Sequence, residues 1–232
     1  MKNEKKHIQE LFINFLRKVA TIVRPSSLLY RSMHKIFLFL LVIFQRMPAD
    51  AQPLWHLIKD KNNIQVYTAD ADSSEYKHIK VVGVLDGTLD KLIAIFLNID
   101  KQKDWVYGTK RSYLIKKISN NELLYYIETA LPWPVANRDI AIQMKIDENK
   151  INKNATITTQ GEPKAIPENK GKVRVNKFIG NWSVKAIGEN KLSITYFLFV
   201  NPGGSLPSWV VNLFIGKGPY ETFNKLGELL KK

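Results

Sequence analysis

An arginine that opens a strand on the strand's apolar side is the most chemically pointed feature of this 232-residue chain. In NRDIAIQMKID, strand alternation places Ile140, Ile142, Met144 and Ile146 on one face, with Asp139, Ala141, Gln143, Lys145 and Asp147 on the other. Arg138 falls with the isoleucines. A guanidinium buried without a partner is too unfavourable to stand alone, so it requires a carboxylate or a ligand group. Glu128 is the nearest candidate. It shares a face with Leu124 and Tyr126 on the preceding strand and is joined to Arg138 by LPWPVAN. The alternative is that Arg138, as the first residue of its strand, lies at the strand's mouth and reaches water.

Other chemistries find little support. His56 and His78 are the only histidines after residue 51, one in the expected first helix and one on a charged strand. Ser205, Ser208 and Thr222 sit in no G-x-S-x-G elbow. Gly216-Lys217-Gly218 lacks the glycine spacing and the following Ser/Thr of a phosphate loop. A helix kink accounts for it better, because Pro219 removes a backbone donor there. The chain has no cysteine, which excludes a disulfide framework and thiolate metal ligation. No cofactor and no metal are expected.

The elements that must position these residues are mostly strands. A short helix is expected over Pro53 to Lys59, then strands at 64–68 and 76–85, the latter ending in the Asp86-Gly87 turn. Thr88 reads as the N-cap of a helix through Leu97, and a helical turn follows near Lys101 to Trp105. Further strands are predicted at 109–118, 122–130, 138–147, 153–160, 172–187 and 191–200. Along the last, Leu192, Ile194, Tyr196 and Leu198 share a face. The strand over 172–187 changes parity between Val175 and Trp182, which predicts a bulge near Lys177 to Gly180. From Leu206 onward, Trp209, Val210, Leu213, Phe214, Tyr220, Phe223, Leu226 and Leu230 recur at helical spacing. Ser205 and Pro207 mark the start of that helix. The class is α+β, a curved sheet wrapped around a long C-terminal helix.

The front of the chain has a different character. His34 and Lys35 precede nine apolar residues, Ile36 to Phe44, and Ala49-Asp50-Ala51 has the A-x-A form of a signal-peptidase site. Nine residues are too few for a membrane span, which needs about 20. Residues 33–51 are therefore expected to be a signal peptide, and 52–232 the mature domain. Residues 1–32 are either an extension ahead of a true start at Met33 or a basic amphipathic arm on a membrane surface. The formal charge is +14, but residues 52–232 hold 26 basic and 18 acidic side chains, a net +8. These charges are scattered, as on solvated strand faces. A weak attraction to anionic membrane surfaces comes second. Nucleic acid is not an expected partner, since no binding motif accompanies the charge.

The segments PWPVANRD, AIPENKGKVRV and NPGGSLPSWVVNLFIGKGPYETFNKL, in this order, resemble START (StAR-related lipid-transfer) domains, above all bacterial ones. The resemblance runs from about Trp55 to Leu230. It implies a helix-grip fold: a curved antiparallel sheet holding the C-terminal helix, with a hydrophobic tunnel between them for one lipid-like molecule. It further implies that Arg138-Asp139 is the family's Arg-Asp pair at the start of a central strand. In some members that arginine meets an acidic residue inside the tunnel, the role expected for Glu128. The expected ligand-binding set is Arg138, Glu128, Tyr126, Ile140, Ile142, Trp182, Tyr196, Trp209, Leu213 and Phe214. Trp209 is read either as core or as a membrane-interface residue. The expected gate is the first half of the C-terminal helix moving from the loop Pro163 to Gly171. The expectation is a monomeric lipid binder with a transient membrane partner. The alternative is a helix-grip enzyme of the cyclase or hydroxylase-accessory kind, acting on an apolar substrate.

Export has a direct test. N-terminal sequencing of the protein from its own host should return Gln52, free or as pyroglutamate; an intact cytoplasmic chain beginning at Met1 overturns the expectation.

Overall fold

The structure, a computed structural model, describes residues 13–14, 17–18, 54–71 and 74–232. The chain divides into two units, Met1–Gln52 and Pro53–Lys232. The signal peptide, its cleavage site and, apart from the helical positions 13–14 and 17–18, the 1–32 extension concern residues outside those described.

The second unit is built on one ten-stranded sheet. Its strands are β1 (His56–Lys61), β2 (Ile64–Ala71), β3 (Ser74–Asp86), β4 (Thr109–Lys117), β5 (Glu122–Thr129), β6 (Asn137–Asn149), β7 (Asn154–Gly161), β8 (Lys172–Arg174), β9 (Lys177–Gly188) and β10 (Lys191–Asn201). The helices are α1 (Leu89–Leu97), α2 (Gln102–Trp105), α3 (Ser208–Gly216) and α4 (Gly218–Lys231). Strand order is β1-β2-β3-β10-β9-β7-β6-β5-β4, with β8 laid parallel on β6 and every other pairing antiparallel. Chain order and sheet order diverge at two pairings: β9 skips β8 to pair with β7, and β10 returns to pair with β3 and holds the two halves together. The helix-grip class read from the sequence is the fold observed.

Alternation governs the inner face. Ile64 and Val66 of β2, Val81 and Leu85 of β3, Ile194 of β10, Val184 of β9 and Ile157 of β7 are buried in one core with Phe223, Leu226 and Leu230 of α4, which sit at three- and four-residue spacing. Thr88 caps α1 as expected, its hydroxyl accepting from the Lys91 N–H at 3.3 Å.

Three expectations need correction. The segment expected as a helix over Pro53 to Lys59 forms edge strand β1 from His56. Asn62 and Asn63 adopt φ of 55° and 59°, which closes a two-residue hairpin onto β2 and pulls the preceding residues into the sheet. No bulge interrupts β9 at Lys177 to Gly180: its inward positions stay even-numbered, from Phe178 through Trp182 to Val184. The parity change comes instead from a break at Val175-Asn176, which separates β9 from the short β8. Gly180 keeps β9 regular, since a Cβ there would lie 2.4 Å from the Thr159 hydroxyl. The C-terminal helix, finally, is two helices meeting at Lys217. Pro207 is the residue before α3, not part of its first turn, whereas Pro219 occupies the first turn of α4, where a missing N–H leaves nothing unpaired within the helix.

β8 is held in place by charge. Asp139 points away from the inner face and is 2% exposed, with the Arg174 Nε donating to its Oδ1 at 2.8 Å. Asn169 donates to Oδ2 at 2.6 Å and the Tyr126 hydroxyl at 3.3 Å. The same guanidinium reaches the carbonyls of Pro163, Ile166 (3.1 Å) and Pro167 (2.8 Å), so one ion pair fixes the whole β7–β8 connection. Burial by itself raises the Asp139 pKa, but the hydrogen bonds from Arg174 and Asn169 and the Arg174 charge outweigh it and hold it below the ordinary carboxylate value. A carboxylate depressed on folding stabilises above its unfolded pKa of about 4, and that contribution fades as pH falls through the lower folded value. Asp139→Asn should therefore destabilise the fold by about 3–5 kcal/mol at pH 7, leaving Arg174 uncompensated. Urea titrations should show the gap to the wild type narrowing below about pH 4; a gap independent of pH would mean that the ion pair is not what stabilises β8.

Candidate functional site

Between the inner face of the sheet and helices α1 to α4 lies a cavity of about 260 Å³. Its floor is aromatic: Phe96, Trp105, Trp182 and Tyr196 line it, with Trp182 stacked on Tyr196 at 3.8 Å and edge-on to Phe96 at 5.1 Å. Tyr125, Ile127, Ile140 and Ile142 supply one wall from β5 and β6. Leu206, Val210, Val211, Phe214 and Ile215 close it from α3 and the segment leading into it, facing Val106, Tyr107 and Leu131. These walls are apolar, and burial pushes the Tyr125 and Tyr196 phenols well above their ordinary pKa.

The pairing of β5 with β6 decides which polar groups enter. Thr129 is the register partner of Arg138, Ile127 of Ile140 and Tyr125 of Ile142. The inward set on β5 is therefore Tyr125, Ile127 and Thr129, while Tyr126 and Glu128 lie on the outer face opposite Ala141 and Asp139. This overturns the expected Arg138–Glu128 pair. Glu128 is instead bound by Lys172 (2.7 Å), Lys110 (3.3 Å) and the Asn137 amide (2.7 Å). Burial raises its pKa, but these hydrogen bonds outweigh burial and bring it below the ordinary value. Lys172 is correspondingly raised, first by Glu128 and then by the Tyr126 hydroxyl, which it reaches at 3.0 Å.

Arg138 does not reach water either. It is 4% exposed, and its guanidinium donates to the carbonyls of Ala136 (2.7 Å) and Gly203 (3.1 Å), while Nε–H faces no partner. Burial depresses its pKa. The Gly203 carbonyl is delivered by a turn at φ 70°, where a side chain would strike the Arg174 carbonyl at 2.5 Å. Glycines at 203 and 204 thus let the chain fold over the arginine.

Of the residues expected at the site, Arg138, Ile140, Ile142, Trp182, Tyr196 and Phe214 line the cavity. Tyr126 and Glu128 are on the far side of the sheet, Leu213 is half-buried outside the lining, and Trp209 is 51% exposed. Trp209 is therefore not core. The loop Pro163 to Gly171, expected to face α3, contributes no lining residue and is pinned by Arg174. α3 packs instead on the α2–β4 connection: Tyr107 meets Phe214 edge-on at 5.5 Å, and its N–H donates to the Thr222 hydroxyl of α4 at 3.1 Å. Sequence reasoning missed Phe96, Trp105, Tyr125 and Leu131. Tyr125 was within reach, since β5 inverts once Arg138 is taken as inward and paired across an even register.

Residues 37–232 match the START domain. An uncharacterized protein of Pseudomonas aeruginosa is 28% identical over 180 residues, covering 77% of this chain and 87% of that protein. The phosphatidylcholine transfer protein of Mus musculus is 28% identical over 68% of this chain and 75% of its own length. Among solved structures, the STAR-related lipid transfer protein of Xanthomonas axonopodis superposes with a TM-score of 0.70 and 26% identity, over 77% of this chain and 99% of that one. With a family match over most of its length and the sheet, helix and cavity that such a match requires, this chain belongs to the START domain family.

Proposed function

We propose that the chain holds one lipid-like molecule in this cavity and carries it between membranes as an exported monomer. The observation that carries the reading is the cavity itself: a space walled by aromatic and branched apolar side chains, which favours an apolar body without demanding catalysis of it. The relatives named as lipid and phosphatidylcholine transfer proteins support it. An enzyme of the cyclase or hydroxylase-accessory kind needs inward acid–base pairs; among the described residues lining the cavity there is no carboxylate and no imidazole.

The membrane is met at the α3 side. SWVVNLFIG carries no charge, and Trp209 is half exposed on it. Trp133, in the β5–β6 connection two residues from the lining residue Leu131, is 90% exposed. Two exposed indoles at the edge of one apolar cavity suit a lipid–water interface. α3 acts as the lid and Lys217 as its joint, where Pro219 withholds a hydrogen bond between the two helices.

The chain has no native thiol, so the lid can be locked selectively. Tyr107→Cys combined with Phe214→Cys, bridged by a reducible thiol-specific linker, should abolish vesicle-to-vesicle transfer of a fluorescent phospholipid without changing the circular dichroism spectrum. Reduction of the linker should restore transfer. Undiminished transfer with the bridge verified by mass would exclude α3 as the way in.

A further inference from the structure

Three inward side chains stand on one rung of the sheet. Arg138 of β6 pairs across to Thr129 of β5, and Thr129 pairs across to Thr109 of β4. All three line the cavity. Adjacent strands are about 4.8 Å apart, so the rung spans roughly 10 Å of an otherwise apolar wall. Two of its polar atoms, Arg138 Nε and Thr109 Oγ1, are buried without a partner, and so is the indole N–H of Trp105, four residues before Thr109. Guanidinium and indole N–H groups only donate, so the unpartnered atoms of the lining ask for acceptor oxygens.

The lining also asks for charge. The two carbonyls that bind Arg138 are neutral acceptors and leave its positive charge uncompensated in a buried setting. The other cation on the wall, Lys77, is matched by Asp70 at 2.7 Å. Beyond the rung the wall turns aromatic and aliphatic, which suits an anion attached to an apolar body and gives a free anion nothing further to bind.

We infer that the cavity selects an acidic lipid, its phosphate or carboxylate seated on Arg138 and a neighbouring oxygen accepting from Thr109 or Trp105. The inference rests on the cavity being a lipid site. A neutral lipid would occupy the same walls and leave the Arg138 charge without an anion beside it.

The test compares two pyrene-labelled lipids with identical chains, phosphatidic acid and diacylglycerol, each offered in neutral phosphatidylcholine vesicles to the full chain. The wild type should take up the acidic lipid about tenfold or more in preference, the scale of a charge-assisted hydrogen-bonded contact. Arg138→Gln should bring that ratio close to one, while Arg138→Lys, which keeps the charge, should retain most of it. Equal uptake of both lipids by the wild type overturns the inference and leaves the lipid site standing, whether or not the variants fold. Uptake of neither overturns both. A ratio unchanged in folded Arg138→Gln removes the arginine from the role. Excess inorganic phosphate should not displace the acidic lipid; displacement would assign the rung to a free anion and overturn the head-group inference.

Discussion

Two oppositely charged neighbours on one strand organise this molecule. Strand geometry sends successive side chains to opposite faces, so Arg138 and Asp139, adjacent in sequence, cannot neutralise each other. Asp139 is driven outward and made tolerable by Arg174, which in turn fastens β8 and the connection before it. Arg138 is driven inward, where backbone carbonyls satisfy its geometry but not its charge. The turn over Gly203-Gly204 delivers one of those carbonyls and leads into α3. The outer ion pair and the inner cation are consequences of one alternation.

The sheet was legible in the sequence wherever one face is wet. In β6, and in β10 from Leu192 to Tyr196, apolar residues alternate with polar ones over most positions, and the phase can be read directly. In β5 it cannot: Leu123, Leu124, Tyr125, Tyr126 and Ile127 are apolar without interruption. Both faces there are covered, the outer one by Tyr113, stacked on Tyr126 at 4.7 Å, and by Lys172. Hydrophobicity then carries no phase, and Glu128 was placed on the wrong side by one residue. The first strand was hidden for another reason. β1 is an edge whose side chains are largely exposed, so nothing but the Asn62-Asn63 turn announces it.

The cavity was less legible than the fold. Ile140 and Ile146 occupy equivalent positions on the inner face of β6, yet only the former faces open space. Whether an inward residue meets a neighbour or a void depends on how far the covering helices descend, and no local pattern encodes that distance. The polar rung at Arg138, Thr129 and Thr109 was invisible because it is a property of register across three strands. Trp105 was lost because its four-residue helix is too short to show a buried face.

The break at Lys217 divides the C-terminal segment into parts with separate duties. α4 carries Phe223, Leu226 and Leu230 into the core, so substitutions there are screened by whether the protein survives as a folded chain. In α3 only Val210 is fully buried, while Val210, Val211, Phe214 and Ile215 line the cavity, so substitutions there change the cavity wall more than the core. Selection on persistence and selection on cargo therefore act on different stretches of one chain, and a lineage can change its ligand through the nine residues of α3 without renegotiating the fold.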